Sequence, residues 1–188
     1  MNVVVYQTLD DRDNPDEIEE HGPYECRGGS SWLGNGYYFW DTHVQLGHKW
    51  GKTAYNGSYV VCEAVIDLNE FNCFDIHGNG EHMMEFQDTV EKINEIDDAQ
   101  EVTVARVISF LKKMRTWSYS AIRVLGMNSF KRDLEERGLY WDEIKFSIGK
   151  KPFLDLYPPV QICVISKQNC NLRQWQIVYP NKYAEQYI

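Results

Sequence analysis

A glycine-rich turn followed at once by four aromatic residues is the part of this 188-residue chain best suited to bind a nucleotide. Gly34 and Gly36 allow the backbone a positive φ or a close approach to a ligand. Residues 37–40 then supply flat rings on both sides of an extended segment, and such rings stack on nucleotide bases. The pattern therefore predicts a nucleotide site next to this turn.

Alternation along the aromatic segment decides which ring can reach a ligand, because neighbours on a strand point to opposite sides of a sheet. Tyr38 and Trp40 are therefore predicted to share one face, and Tyr37 and Phe39 to fill the core. Tyr38 is the best candidate for stacking on the ligand, and the alternative is a core or cross-strand aromatic residue.

The turn resembles a motif of the ADP-ribosyltransferase superfamily, in particular the branch related to poly(ADP-ribose) polymerases and bacterial toxins. The family motif reads Leu-Gly-x-Gly, then an apolar residue, a tyrosine and an aromatic residue. Leu33, Gly34 and Gly36 match its first part, and Tyr38 falls at the tyrosine. The resemblance is specific around residues 32–51, extends to strands near both ends of the chain and is absent from the middle.

The resemblance implies a protein that binds NAD and transfers ADP-ribose to a protein or small-molecule acceptor, as a toxin or defence effector does. In the family, a histidine, a tyrosine and a glutamate surround the nicotinamide. Gln7, Tyr38 and Gln161 stand at these positions and are the implied catalytic residues. The implied NAD contacts are Tyr6, Gln7, Thr8, Leu33, Gly34, Gly36, Tyr38 and Trp40. An antitoxin or inhibitor protein would be a further partner.

The two glutamines bear on whether this chain is an enzyme. Cleavage of nicotinamide from NAD passes through an oxocarbenium-like state that a nearby carboxylate stabilises. An amide at Gln161 keeps the hydrogen bond but lacks the charge, a loss of about tenfold, and loss of a general base costs roughly 10² to 10⁴. Catalysis would then need another carboxylate, such as Glu63 or Asp155, or an acceptor that is already reactive.

Two further functions stay open on the same fold. One is a module that binds NAD or ADP-ribose without chemistry, since both ionisable motif positions are glutamine. The other is a protein-interaction domain whose aromatic surface contacts a partner. Gln7 itself has two interpretations, a donor to the ribose of NAD or a structural amide paired with backbone, because a buried amide must be hydrogen-bonded.

The acidic balance of the chain disfavours nucleic acids as partners. The net charge is -9, and sequence-tolerant nucleic-acid binding needs a basic groove. The main basic cluster, Lys112, Lys113 and Arg115, is interpreted as the C-terminus of a helix, where cations complement the helix dipole.

The cysteines and the apolar runs favour a cytoplasmic protein with no membrane partner. Five cysteines are irregularly spaced without a Cys-x-x-Cys pair, which favours a reducing compartment over a disulfide framework. No apolar run approaches the roughly 18 residues that span a bilayer. His43 and His48 lack the spacing of metal ligands on a helix, and no metal is expected.

Hydrophobic periodicity predicts one α+β domain over residues 1–188, and the resemblance makes it a split antiparallel sheet with a helical insert at about 80–140. Besides the aromatic strand, strands are expected at 3–8, 58–68, 71–76, 161–166 and 174–178, with a short one at 145–148. Helices are expected at 81–97, at 100–115 and from 128 or 129 to 137.

Capping residues predict where three helices begin. Asn14 is followed by Glu17 three residues later, and Asp98 stands before the second insert helix. Asp41 and Thr42 are expected to cap the helix after the aromatic strand. The glycine-rich loop at residues 23–31 is placed to fold over a ligand.

Overall fold

The computed structural model describes residues 1–29, 31–96, 100–126, 143–149 and 153–184. In these ranges the chain is a mixed α+β structure with a seven-stranded sheet, a two-stranded sheet and five helices. The strands are β1 (Asn2–Asp10), β2 (Tyr37–Asp41), β3 (Tyr59–Asp67), β4 (Cys73–Asp75), β5 (Ala121–Leu125), β6 (Glu143–Lys145), β7 (Phe153–Asp155), β8 (Val160–Val164) and β9 (Arg173–Tyr179). The helices are α1 (Pro15–His21), α2 (Val44–Ala54), α3 (Gly80–Ile96), α4 (Val104–Leu111) and α5 (Asn181–Ala184).

The large sheet has the strand order β4-β5-β8-β2-β1-β3-β9. Its pairs are antiparallel except for β4 with β5. Strands β8, β2 and β1 lie side by side at its centre although they come from opposite ends of the sequence. This order brings the strands that carry Gln161, Tyr38 and Gln7 next to one another.

The two faces of the sheet bury separate apolar clusters. On one face Phe39 packs with Val5 and Ile162, and Tyr37 lies against this cluster. On the other face Tyr38 packs against a cluster that includes Ile122 and residues of α3 and α4. The predicted alternation of the aromatic strand is confirmed.

The first helix begins where it was predicted, and the capping prediction at the next helix is wrong. Asn14 is the N-cap residue of α1 and Pro15 is its first residue, but the Asn14 side chain makes no capping hydrogen bond and its Nδ2 donates to Glu17 Oε2 at 2.7 Å. Asp41 and Thr42 do not cap α2, because that helix begins at Val44 and the Asp41 carboxylate turns to Arg123 at 2.7 Å. The arginine gives the buried carboxylate both a charge-assisted hydrogen bond and a compensating charge.

The second helix of the insert begins later than predicted, at Val104 rather than residue 100. Thr103 is its cap, since the hydroxyl oxygen accepts a hydrogen bond from the Arg106 amide at 3.2 Å. Asp98, the predicted cap, lies outside the described residues, as does the predicted short helix at 128–137. In the described ranges, no helix is long and apolar enough to cross a bilayer.

Candidate functional site

A cleft of about 490 Å³ opens where β1, β2 and β8 meet α2 and the loop after α1. This volume is in the range of sites for small molecules and cofactors. Seven aromatic residues line it, Tyr24, Trp32, Tyr38, Phe39, Trp40, Trp50 and Tyr55. Gln7, Thr8 and Gln161 contribute polar groups to the same wall. The cleft therefore combines stacking surfaces with a few hydrogen-bonding groups.

Gln161 holds the least satisfied polar atom of the cleft. It lies on β8 directly opposite Trp40 of β2. Its side-chain oxygen Oε1 is buried and has no hydrogen-bond partner in the described structure. A buried acceptor without a partner costs about 1 to 3 kcal/mol. The position is thus suited to a ligand that brings a hydroxyl or an N–H donor.

Gln7 lies in the same cleft, but its amide is engaged with backbone. Its Nε2 donates to the Tyr24 carbonyl at 2.9 Å and to the Tyr38 carbonyl at 3.4 Å. Its Oε1 accepts from the Tyr24 amide at 2.9 Å. Of the two interpretations of Gln7, its contacts are those of a structural amide paired with backbone. These hydrogen bonds fix the loop after α1 to the sheet.

Tyr38 is held by its hydroxyl with its ring on the wall of the cleft. The Leu33 amide donates to the phenol oxygen at 2.8 Å, and the hydroxyl donates to the Gly34 carbonyl at 2.8 Å. Burial raises the pKa of the Tyr38 phenol, so the group keeps its proton at neutral pH. The ring is therefore fixed for stacking, while its hydroxyl is used by the turn.

The two glycines of the turn are required by packing within the chain. Gly34 has a φ of 92°, and a Cβ there would lie 2.8 Å from Lys112 Nζ. A Cβ on Gly36 would lie 2.6 Å from Cys163 Sγ. Lys112 also donates to the Leu33 carbonyl at 3.1 Å, and burial lowers the pKa of this lysine. Leu33, Gly34 and Gly36 thus support the cleft from behind and do not line it.

Of the remaining predicted NAD contacts, some line the cleft and one does not. Thr8 and Trp40 line the cleft, and the Thr8 hydroxyl donates to the Gly47 carbonyl of α2 at 3.0 Å. Tyr6 lies beside Trp40 in the sheet but does not line the cleft. Burial, followed by a hydrogen bond with Glu63, raises the pKa of Tyr6 to about 12.

The carboxylates proposed to replace the family's glutamate lie elsewhere. Glu63 occupies the same row across the sheet as Gln161, but Tyr6 and Trp40 stand between them. Three strand spacings of about 4.8 Å put it about 14 Å away. Asp155 accepts from the Tyr157 amide at 2.9 Å and does not line the cleft. Glu25 is the carboxylate among the described residues that does line it.

Sequence reasoning missed Glu25 and four aromatic residues of this wall, Tyr24, Trp32, Trp50 and Tyr55. For Tyr24 and Glu25 the only signal was position, because the loop at residues 23–31 was expected to fold over a ligand. The loop has no periodicity that shows which of its side chains faces the sheet, whereas α2 is amphipathic and buries Leu46, Gly47 and Gly51. The anchoring of the loop by Gln7 supplies that information only in three dimensions.

A second cavity of about 310 Å³ adjoins the cleft. The two share Leu9, Tyr24 and Tyr55 as lining residues. The adjoining cavity is also lined by Asn14, whose buried Oδ1 has no hydrogen-bond partner in the described structure. The two cavities together thus form a longer site with an unused amide oxygen in each part.

A separate polar network lies on the opposite face of the sheet. Arg123 Nε contacts Asp41 Oδ2 at 2.7 Å, and its Nη1 contacts Asp75 Oδ2 at 3.0 Å. Gln161 pairs with Val124, so the neighbouring Arg123 points away from the cleft. The network joins the ends of β2 and β4 to the middle of β5.

Comparison with known proteins places this chain in no family. No protein-family model, no curated protein and no solved structure matches it. Among the described residues, no three His, Cys, Asp or Glu side chains form a group that could hold a metal ion.

Proposed function

We propose that the protein binds NAD in the cleft and transfers ADP-ribose to a protein or small-molecule acceptor. One observation carries the proposal: the three separated motif positions, Gln7, Tyr38 and Gln161, converge on one cleft. Chain segments about 30 and 120 residues apart would not meet there by local folding alone. The antiparallel centre of the sheet is consistent with a split-sheet ADP-ribosyltransferase fold, with α3 and α4 as part of its helical insert.

The nicotinamide half of NAD fits the chemistry of the cleft wall. The ring of Tyr38 provides a fixed stacking surface for the nicotinamide. The buried Gln161 Oε1 accepts a hydrogen bond from a ribose hydroxyl, which removes the cost of leaving this atom unpaired.

The adjoining cavity suits the adenosine half. Tyr24 and Tyr55 lie at the junction of the two cavities and offer rings for stacking. Asn14 Oδ1 accepts from the adenine amine or from a ribose hydroxyl. A dinucleotide that spans both cavities satisfies both unpaired amide oxygens, whereas a mononucleotide satisfies one.

A binding module without catalysis is the second candidate. It is favoured by the two glutamines, because Gln7 is engaged with backbone and Gln161 carries no charge. Such a domain would hold NAD or ADP-ribose without releasing nicotinamide. The two candidates therefore predict the same binding and opposite turnover.

Calorimetric titration with NAD tests the binding that both candidates share. We expect saturable binding that Tyr38→Ala weakens about tenfold or more, because stacking on an aromatic ring is lost. Tyr37→Ala is the matched control, since Tyr37 lies on the opposite face of the same strand. Absence of binding at about 1 mM NAD, or equal effects of the two variants, would contradict the proposal.

Release of nicotinamide separates the transferase from the binding module. Purified protein is incubated with NAD and a cell extract that supplies acceptors, and nicotinamide is measured by chromatography. A transferase releases nicotinamide and labels an acceptor with ADP-ribose. Binding without release would leave the binding module as the function.

A further inference from the structure

We infer that Glu25 is the catalytic carboxylate of this cleft and acts from the loop after α1. The inference rests on the proposed function, since it assigns a residue to the reaction of NAD. Its starting point is chemical: a carboxylate near the reacting carbon stabilises the oxocarbenium-like state of glycosidic cleavage, and Gln161 cannot supply one. Among the described residues of the wall, Glu25 meets this need.

The backbone on both sides of Glu25 is fixed to the central sheet. Tyr24 exchanges two hydrogen bonds with the Gln7 amide, both 2.9 Å long. Cys26 forms a β-bridge with Gly36, with backbone hydrogen bonds of 2.8 and 3.2 Å. A loop residue held at both neighbours has the fixed position that catalytic groups require.

One oxygen of the carboxylate is held and the other is available. Arg27 Nε and Nη2 contact Glu25 Oε2 at 2.9 and 2.6 Å. Oε1 has no hydrogen bond to any residue that the structure describes. The exposed Arg27 contacts only Oε2, and Oε1 is left to accept a proton.

With water as the simplest acceptor, the reaction balances as follows. The bond between the nicotinamide nitrogen and ribose C1′ breaks, and nicotinamide leaves with the electron pair. The oxygen of water bonds to C1′ while Glu25 Oε1 takes one of its protons, which passes to solvent. The products are nicotinamide, ADP-ribose and one proton. Gln161 holds a ribose hydroxyl, and Gln7 acts as a positioning residue through Tyr24.

This assignment explains why glutamine is sufficient at both position 7 and position 161. When the carboxylate comes from the loop, β8 needs only a neutral hydrogen-bonding group, and β1 needs a group that anchors the loop. A glutamine with both ends engaged does the second task, as Gln7 does. The two amides and Glu25 thus form one arrangement.

The test measures nicotinamide release from NAD in water, with NAD affinity measured by calorimetry on the same samples. We expect Glu25→Gln to slow release by about 10² to 10⁴ while NAD affinity stays within about tenfold. Glu20→Gln is the matched control, because it makes the same charge change on an exposed site of α1. It should leave both quantities unchanged.

Chemical rescue separates a catalytic carboxylate from a structural one. Sodium formate added to Glu25→Ala should restore part of the rate, since a small carboxylate can enter the space that the side chain leaves. A variant that turns over NAD as fast as the wild type, or a wild-type protein that binds NAD without releasing nicotinamide, would overturn the assignment. A wild-type protein that does not bind NAD would instead overturn the proposed function itself.

Discussion

The Arg123 network and the cleft around Gln161 lie on opposite faces of one sheet. Buried polar atoms are paired within the chain in the network, whereas one is left unpaired in the cleft. In the network, Arg123 joins two carboxylates at 2.7 and 3.0 Å, and Asp41 is 7% exposed. In the cleft, Gln161 Oε1 is buried with no partner in the described structure. Both features come from strands in the same half of the sheet, so burial alone does not separate them.

The contrast indicates what each region is for. A buried group whose partners lie within the chain contributes to the stability of the fold. A buried acceptor without a partner lowers stability, and in a cleft a bound ligand or a water molecule can complete its hydrogen bond. Mutations should therefore change stability at the network and ligand binding at the cleft.

The largest effect is expected for Arg123→Leu. The substitution leaves the Asp41 carboxylate buried without its arginine, which costs about 3 kcal/mol of unfolding free energy. Urea unfolding at neutral pH measures the change. Arg12→Leu removes an exposed ion pair, in which Arg12 Nε contacts Asp10 Oδ2 at 3.1 Å, and should have little effect. Equal changes in the two variants would remove the distinction between the network and an ordinary surface pair.

The positions of these strands in the chain can be predicted from the sequence, but the order in which they pair in the sheet cannot. Apolar runs predict β1 and β3 to within two residues at each end. The aromatic strand and its alternation also follow from local pattern. Strand order does not, and Asp41 meets Arg123 only because β8 lies between β2 and β5. Reasoning from neighbours in the sequence therefore gave Asp41 a capping role that it does not have.

The cleft was predictable to a similar depth. The resemblance to a family motif placed Gln7, Tyr38 and Gln161 together, and the structure brings them to one wall. It did not show that Gln7 would be engaged with Tyr24, nor that Leu33 and the two glycines would lie behind the wall. These details depend on how a loop of residues without periodicity packs on the sheet.

An intermediate effect is expected for Gln161→Leu, which should weaken NAD binding without lowering stability, in contrast to Arg123→Leu. Removing an unpaired acceptor leaves stability unchanged or raises it by up to about 1 kcal/mol. NAD affinity should fall about tenfold, the value of one neutral hydrogen bond. Thermal unfolding and calorimetry on one preparation give both quantities.

Gln7→Leu provides the matched control, because it makes the same substitution at the other glutamine of the cleft. Here the Tyr24 amide and carbonyl lose their partners, and the unfolding free energy should fall by about 2 kcal/mol. If Gln161→Leu destabilised the protein as much as Gln7→Leu, the unpaired oxygen would be part of the fold rather than a place for a ligand.

The smallest effect concerns His48, which lies on α2 behind the cleft and contacts Tyr59 at 3.1 Å. Burial, followed by the charge of Lys52, lowers the pKa of His48 below its usual 6.5. The unfolded chain then binds the proton more tightly, so acid destabilises the fold as the pH falls through 6.5 toward the folded-state pKa. His48→Phe lacks this group. Its unfolding free energy relative to that of the wild type should therefore rise as the pH is lowered from about 8 to about 5. Lys52→Gln should make the pH dependence of the wild type shallower, because one cause of the lowered pKa is removed. A difference between His48→Phe and the wild type that stayed constant with pH would show that this wall accepts a charge, unlike the apolar side of the cleft that it supports.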